Sequence, residues 1–152
     1  MKRRYFLALG FMTSLGNRLL AMDYRKYYSK AWASSSLDDA AMALYGREKF
    51  STLKKSKDVR LTVPAGIVSD RQNIAITIDA TIEAKTLAIF QDVNKTSLVA
   101  VFNVAEQCAL SYEIYIRMER KGTLFAVLEG LDGTLYYDRK YVDILTLSCM
   151  AA

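Results

Sequence analysis

Tyr112-Glu113-Ile114-Tyr115-Ile116-Arg117-Met118 changes character at every step: Ile114, Ile116 and Met118 are apolar, while Glu113 and Arg117 are charged. Successive side chains of a β-strand point to opposite faces, so this period of two turns the even positions into a core and leaves Tyr115 outside with the charges. The same period recurs on both sides. It predicts strands at Val59–Val63, Asn73–Asp79, Thr86–Asp92, Leu98–Val104, Tyr112–Met118, Thr123–Glu129 and Tyr141–Leu147. Between them stand turn-formers: Pro64-Ala65-Gly66, Asp92-Val93-Asn94-Lys95, Lys121-Gly122 and Leu131-Asp132-Gly133. No long helical pattern intervenes, so the strands should pair mainly antiparallel. The expected fold is all-β, an immunoglobulin-like antiparallel β-sandwich of about seven strands preceded by an N-terminal helix and an export signal.

Leu98-Val99-Ala100-Val101-Phe102 is apolar on both faces, so it needs cover on both sides and, left exposed, would invite partner pairing or aggregation. Aromatic side chains gather near the C-terminal strand as Tyr136, Tyr137 and Tyr141. Exposed tyrosines suit protein interfaces, and aromatic strands also pack well among themselves.

Upstream, Asp23–Phe50 shows one clear helix. Ser36 is a good N-cap and Asp39 completes a capping-box pattern. Leu37, Ala40, Ala41 and Leu44 recur at helical spacing, and Gly46 ends the turn. The rest of that segment has no evident period, and Lys54-Lys55-Ser56-Lys57 reads as a solvated linker.

Met1-Lys2-Arg3-Arg4-Tyr5-Phe6-Leu7-Ala8-Leu9-Gly10-Phe11-Met12 is a charged stretch followed by an apolar run of signal-peptide length. Arg3-Arg4-x-Phe6-Leu7 looks like a twin-arginine motif, which sends folded proteins to the bacterial periplasm. Cleavage is expected after Ala21, with Ala33 the second choice. The chain then divides into a signal peptide at 1–21, a helical segment and linker at 22–57, a sandwich at 58–147 and a C-terminal cysteine arm at 148–152.

The formal charge of +5 loses four units with Lys2, Arg3, Arg4 and Arg18, and the remaining +1 gives no basic stripe for nucleic acid. After signal cleavage no membrane contact is expected. The chain has no histidine, which removes His-based triads, histidine metal ligands and the commonest general base. Its two cysteines, Cys108 and Cys149, are too few for a structural zinc site, so neither a metal nor another cofactor is called for. A Cys108–Cys149 bridge would be compatible with an oxidising compartment and would cap the second thiol.

Leu131-Asp132-Gly133-Thr134-Leu135-Tyr136-Tyr137-Asp138-Arg139-Lys140-Tyr141-Val142-Asp143-Ile144 resembles the end of SoxY, the sulfur-carrier subunit of the bacterial thiosulfate-oxidising system. The shared pattern is Gly-x-Leu-Tyr-x-x-Arg-Lys-x-Val, then a strand, then a tail. In that family the tail reads Gly-Gly-Cys-Gly-Gly, and its cysteine holds sulfur intermediates as covalent adducts. Cys149 falls on that cysteine, while Leu147, Ser148, Met150 and Ala151 replace the glycines and Ala152 follows. The resemblance runs from about Leu37 to Ala152 and is strongest in the final twenty residues.

It implies an immunoglobulin-like fold, a heterodimer with a SoxZ-like sandwich subunit, and partner enzymes that oxidise the carried sulfur. It also implies a chain that carries substrate without turning it over. Cys149 would be the attachment point, and Arg139 and Lys140, the nearest cations, would touch the adduct or a partner. The alternative is a periplasmic binding or assembly module in which the cysteine is incidental. Cys108 matches no functional residue of the family.

Overall fold

A computed structural model of the chain describes residues 22–104 and 110–145. Nine strands form two sheets. In chain order they are β1 (Lys54–Lys55), β2 (Val59–Thr62), β3 (Ile67–Val68), β4 (Ile74–Ala80), β5 (Ala84–Gln91), β6 (Leu98–Asn103), β7 (Leu110–Ile116), β8 (Gly122–Gly130) and β9 (Leu135–Ile144). One sheet runs β1-β9-β8-β5-β6 with β3 also on β9, and the other runs β2-β4-β7. The long ladders are antiparallel, and only the two-residue strands β1 and β3 join β9 in parallel. The fold is the sandwich that the period of two predicts.

Alternation explains the inner core. Val59 and Leu61 of β2, Ile74, Ile76 and Ile78 of β4 and Ile116 of β7 face Leu87, Ile89, Leu124 and Leu128 of the larger sheet. Tyr115 points the other way and is 67% exposed, as its parity demands.

Strands β5 and β8 are buried on both faces, because a helical layer covers the outer side of the larger sheet. That layer comprises α1 (Tyr24–Tyr27), α2 (Ser29–Ala33), α3 (Leu37–Tyr45) and α4 (Arg47–Phe50). Ala31, Ala40, Ala41 and Leu44 pack there against Ala88, Phe90, Val127 and Leu135. Ser36 Oγ caps α3 by accepting from the Asp39 amide, and the Gly46 amide closes its last turn on the Met42 carbonyl at 2.9 Å. None of the described helices is long and apolar enough to cross a membrane.

This layer supplies part of the cover that Leu98–Phe102 needs. Leu98 and Val101 join the helix-side cluster, while Val99 and Phe102 pack against the inner core, where the Phe102 ring stacks on Tyr112 at 5.2 Å. Leu98 is buried, and Val99 to Phe102 stay half-buried on this edge strand. One correction concerns Lys54-Lys55, expected in a solvated linker. Both side chains are exposed, yet their backbone pairs with Tyr136 and Tyr137 of β9, and Lys54 Nζ sits 4.9 Å over the Tyr136 ring.

Turn chemistry fixes the hairpin that launches β9. Gly133 has φ of 81°, a left-handed conformation that a side chain resists. Asp132 accepts from the Thr134 amide at 2.9 Å and from its hydroxyl at 2.8 Å, an Asx turn that sets the register of Glu129 opposite Leu135.

Candidate functional site

The expected attachment point, Cys149, lies outside the described residues, as do Cys108, the export residues Arg3, Arg4, Phe6 and Leu7, and the arm at 148–152. The structure does describe the strand from which that arm departs.

Strand β9 begins at Leu135, not at the expected Tyr141, so Arg139 and Lys140 stand in mid-strand. Both are exposed, opposite Phe125 and Leu124 of β8. Odd-numbered residues of β9 share the outer face. Tyr137 meets Phe125 there under the helices at a ring separation of 6.4 Å, and Arg139, Tyr141 and Asp143 continue the row past the helical layer. Tyr141 is 58% exposed. On the inner side Val142 and Ile144 are core residues, and the buried carboxylate of Asp138 accepts the Leu61 amide at 3.0 Å, joining β9 to the other sheet.

The end of β9 is held by a strand that sequence reading missed. Ile67 and Val68 of β3 lie opposite Asp143 and Ile144, and the Leu145 amide donates to the Val68 carbonyl at 2.9 Å. An apolar pair after Pro64-Ala65-Gly66 was the only available signal, and two residues cannot display a period. Leu145, 49% exposed, is the last residue described before the arm.

Covalent geometry then limits which side chains the Cys149 thiol can approach. Four links separate Leu145 from Cys149, a span of at most about 14 Å. Along the strand Tyr141 lies about 13 Å back from Leu145, Lys140 about 17 Å and Arg139 about 20 Å. Tyr141 is thus within reach of the folded-back backbone, whereas the two cations are met only by a fully stretched arm and extended side chains.

A charged cleft of about 310 Å³ lies at the far end of β9, lined by Tyr24, Tyr45, Lys49, Thr86, Asn103 and Glu129. The Glu129 carboxylate is buried, ion-paired with Lys49 and in contact with Thr86 Oγ1 at 3.4 Å. Tyr45 Oη lies 3.3 Å from the same hydroxyl, and burial pushes its phenol far above the ordinary range, so it stays protonated. Glu129 pairs with Leu135, nine residues before Ile144, so the cleft stands about 30 Å from the arm's root and beyond its reach. Among the described residues no group of histidine, cysteine, aspartate or glutamate could hold a metal ion.

Comparison with known proteins brings these features under one heading. A family model described as sulfur oxidation protein SoxY matches residues 42–149. Among solved structures, the sulfur carrier protein SoxY from Chlorobium limicola f thiosulfatophilum superposes with a TM-score of 0.64 at 25% identity, covering 74% of this chain and 98% of that one. A putative superoxide reductase from Thermotoga maritima superposes with a TM-score of 0.51 at 11% identity, covering 62% of this chain and 95% of that one, a likeness of fold alone. No curated protein matches the chain.

Proposed function

The chain belongs to the SoxY family, and from that premise we propose that it is a periplasmic carrier of thiosulfate-derived sulfur, with Cys149 as the covalent attachment point. The observation that carries this reading is the extent of the family match, which runs to residue 149 and so takes in the cysteine. The related protein from Chlorobium limicola is itself described as a sulfur carrier. Joining the Cys149 sulfur to a thiolate-level sulfur of the substrate forms one S–S bond and releases two electrons, which a partner oxidoreductase accepts. The adduct is then presented to the enzymes that oxidise it. The chain supplies a thiol and a scaffold and does not turn over substrate.

A SoxZ-like subunit is the proposed stable partner, and Arg139 and Lys140, exposed on β9 and distant from the arm's ordinary range, suit contact with a partner better than contact with the adduct. Export through Arg3-Arg4-x-Phe6-Leu7 places the carrier in the periplasm. Cleavage after Ala21 preserves the helical layer. Cleavage after Ala33 would remove α1 and α2 and with them the fully buried Ala31, uncovering part of the larger sheet.

The test is intact-mass spectrometry on protein purified from cells oxidising thiosulfate. Adducts that a reductant removes should map to the peptide containing Cys149, vanish in Cys149→Ser and persist in Cys108→Ser. Adducts that persist in Cys149→Ser, or an unmodified Cys149 under those conditions, would overturn the assignment and favour a binding or assembly module with an incidental cysteine.

A further inference from the structure

We propose that a groove between the helical layer and the β5–β6 turn is a non-covalent binding site for a sulfur oxyanion of the thiosulfate type. The groove encloses about 470 Å³, and Arg25, Ser29, Trp32, Thr96, Leu98 and Val99 stand in its wall. That wall holds one cation, Arg25, and no carboxylate.

The wall offers hydrogen-bond donors in excess of acceptors. The Arg25 guanidinium lies over the Trp32 ring, 4.7 Å from its centroid, and among the described residues it makes no hydrogen bond or ion pair. Stacking holds the guanidinium in place without using its N–H groups, so they stay available to an anion. Trp32 Nε1 is buried and is the only buried side-chain nitrogen or oxygen among the described residues without a hydrogen-bond partner. Native structures rarely strand such a donor without a reason. The acid nearest to Arg25 in sequence, Asp23, is engaged elsewhere: its Oδ1 caps α1 by accepting the Arg25 and Lys26 amides at 3.1 and 3.2 Å.

The turn that carries Thr96 is built in advance. Fully buried Gln91 accepts the Val93 and Asn94 amides through Oε1 at 2.8 and 2.7 Å and donates through Nε2 to the Thr96 carbonyl at 2.6 Å. Asn94 fastens the turn to the β7–β8 connection, donating to the Arg117 carbonyl at 2.9 Å and accepting the Glu119 amide at 2.8 Å. The Ser97 amide donates to the Ser34 carbonyl at 2.9 Å, which ties the turn to the end of α2. The donors of α2 and of the turn are therefore placed before a ligand arrives, and less ordering entropy is lost on binding.

Donors from α1, α2 and the turn suit the tetrahedral head of a sulfur oxyanion better than a planar carboxylate, and Leu98 and Val99 give an apolar wall to the poorly hydrated outer sulfur of thiosulfate. The groove stands at the end of the sandwich where β9 finishes. Asp92 Oδ1 accepts the Thr123 amide at 2.8 Å, and Thr123 lies opposite Tyr141 of β9. Strand β6 is separated from β9 by β8 and β5, about 14 Å across the sheet. The choice of thiosulfate rests on the carrier reading, whereas an anion site rests on the donors alone.

Trp32 is the only tryptophan of the chain, so its fluorescence reads the groove directly. The experiment titrates thiosulfate, sulfate or acetate into the mature chain carrying Cys108→Ser and Cys149→Ser, with sodium chloride holding the ionic strength constant, and repeats the thiosulfate titration by calorimetry. Thiosulfate should give one saturating change, with sulfate and acetate at least about threefold weaker for want of the outer sulfur. Arg25→Gln should weaken thiosulfate at least about tenfold, by the loss of charge-assisted hydrogen bonds, and Thr96→Val about threefold. Lys95→Gln, exposed on the same turn but outside the wall, should change nothing. A response that never saturates, an unchanged affinity in Arg25→Gln, or equal weakening in Lys95→Gln would overturn the site, and sulfate or acetate binding as tightly as thiosulfate would overturn its ligand. Should Arg25→Gln fail to fold, Thr96→Val against Lys95→Gln decides. The two readings fail separately: saturable binding with no adduct on Cys149 of the parent protein removes the carrier and keeps the groove, and adducts without saturable binding do the reverse.

Discussion

Asp138→Ala isolates a side-chain hydrogen bond that ties β9 to the opposite sheet. Asp138 is 8% exposed, and its carboxylate accepts the backbone N–H of Leu61, a residue that is 0% exposed. Alanine leaves that donor buried without a partner, and stranding a buried backbone group costs about 1–3 kcal/mol. Part of this is offset, because the variant no longer has to desolvate a carboxylate, so the expected loss is about 2 kcal/mol. For a folded part of this size the melting temperature should fall by about 6–10 °C. Asp138→Asn keeps a carbonyl oxygen at the same place and loses only the charge, so it should cost about 1 kcal/mol. Urea unfolding at pH 7, followed by the fluorescence of Trp32 in the helical layer, measures both, with the m-value expected to hold. A loss below about 0.5 kcal/mol in Asp138→Ala would show that the contact has no net worth. An equal loss in both variants would show that charge, and not the acceptor position, matters.

Two further outcomes are expected. The Thr134 amide, first among several donors, holds the Asp132 carboxyl below the ordinary carboxylate value of 3.8, and the Asn73 side chain does the same for Asp70. A folded-state pKa below the unfolded one adds stability that is complete above pH of about 4 and is lost as pH falls through the depressed values. The urea midpoint should therefore drop below pH 4, and less steeply in Asp132→Asn; equal slopes would refute the assignment to that turn. Changing Arg3 and Arg4 to lysine should leave the precursor in the cytoplasm on cell fractionation, whereas normal periplasmic levels would remove the twin-arginine reading.

How much of this could be read beforehand depended on whether a residue's neighbours were close in sequence. Alternation marks β2, β4 and β7 most clearly because each keeps one face toward water, while β5 and β8, buried on both faces, show as apolar runs between turn-formers. It misplaced the start of β9, where Asp138 is buried while Arg139, Lys140 and Tyr141 are all exposed, so a charge inside and three solvent-facing residues in a row erase the pattern. Helices α1, α2 and α4 have four or five residues each and owe their existence to the sheet beneath them, since helices so short are unstable alone. That layer also covers one face of Leu98–Phe102, a strand apolar on both faces, and leaves Val99 to Phe102 half-buried at the sheet edge. Glu129 finds Lys49 across 80 residues of sequence, a pairing that no local pattern announces.

The geometry of the root also bears on how the thiol would be activated. On the carrier reading Cys149 has to become a thiolate, and nearby cations are the ordinary means of lowering a thiol pKa. The seven residues from Thr146 to Ala152 contain no basic side chain. The nearest cations on the strand, Lys140 and Arg139, lie about 17 Å and 20 Å behind Leu145, against an arm of at most about 14 Å. An arm held in contact with them would be drawn flat along β9 and withdrawn from any partner. For the cations of β9, presentation and self-activation are therefore exclusive. If β9 does not supply the charge that ionises the thiol, the enzyme whose site it enters is the natural source. Such a division suits a shared carrier, because a thiol reactive everywhere would be consumed before it reached the second enzyme.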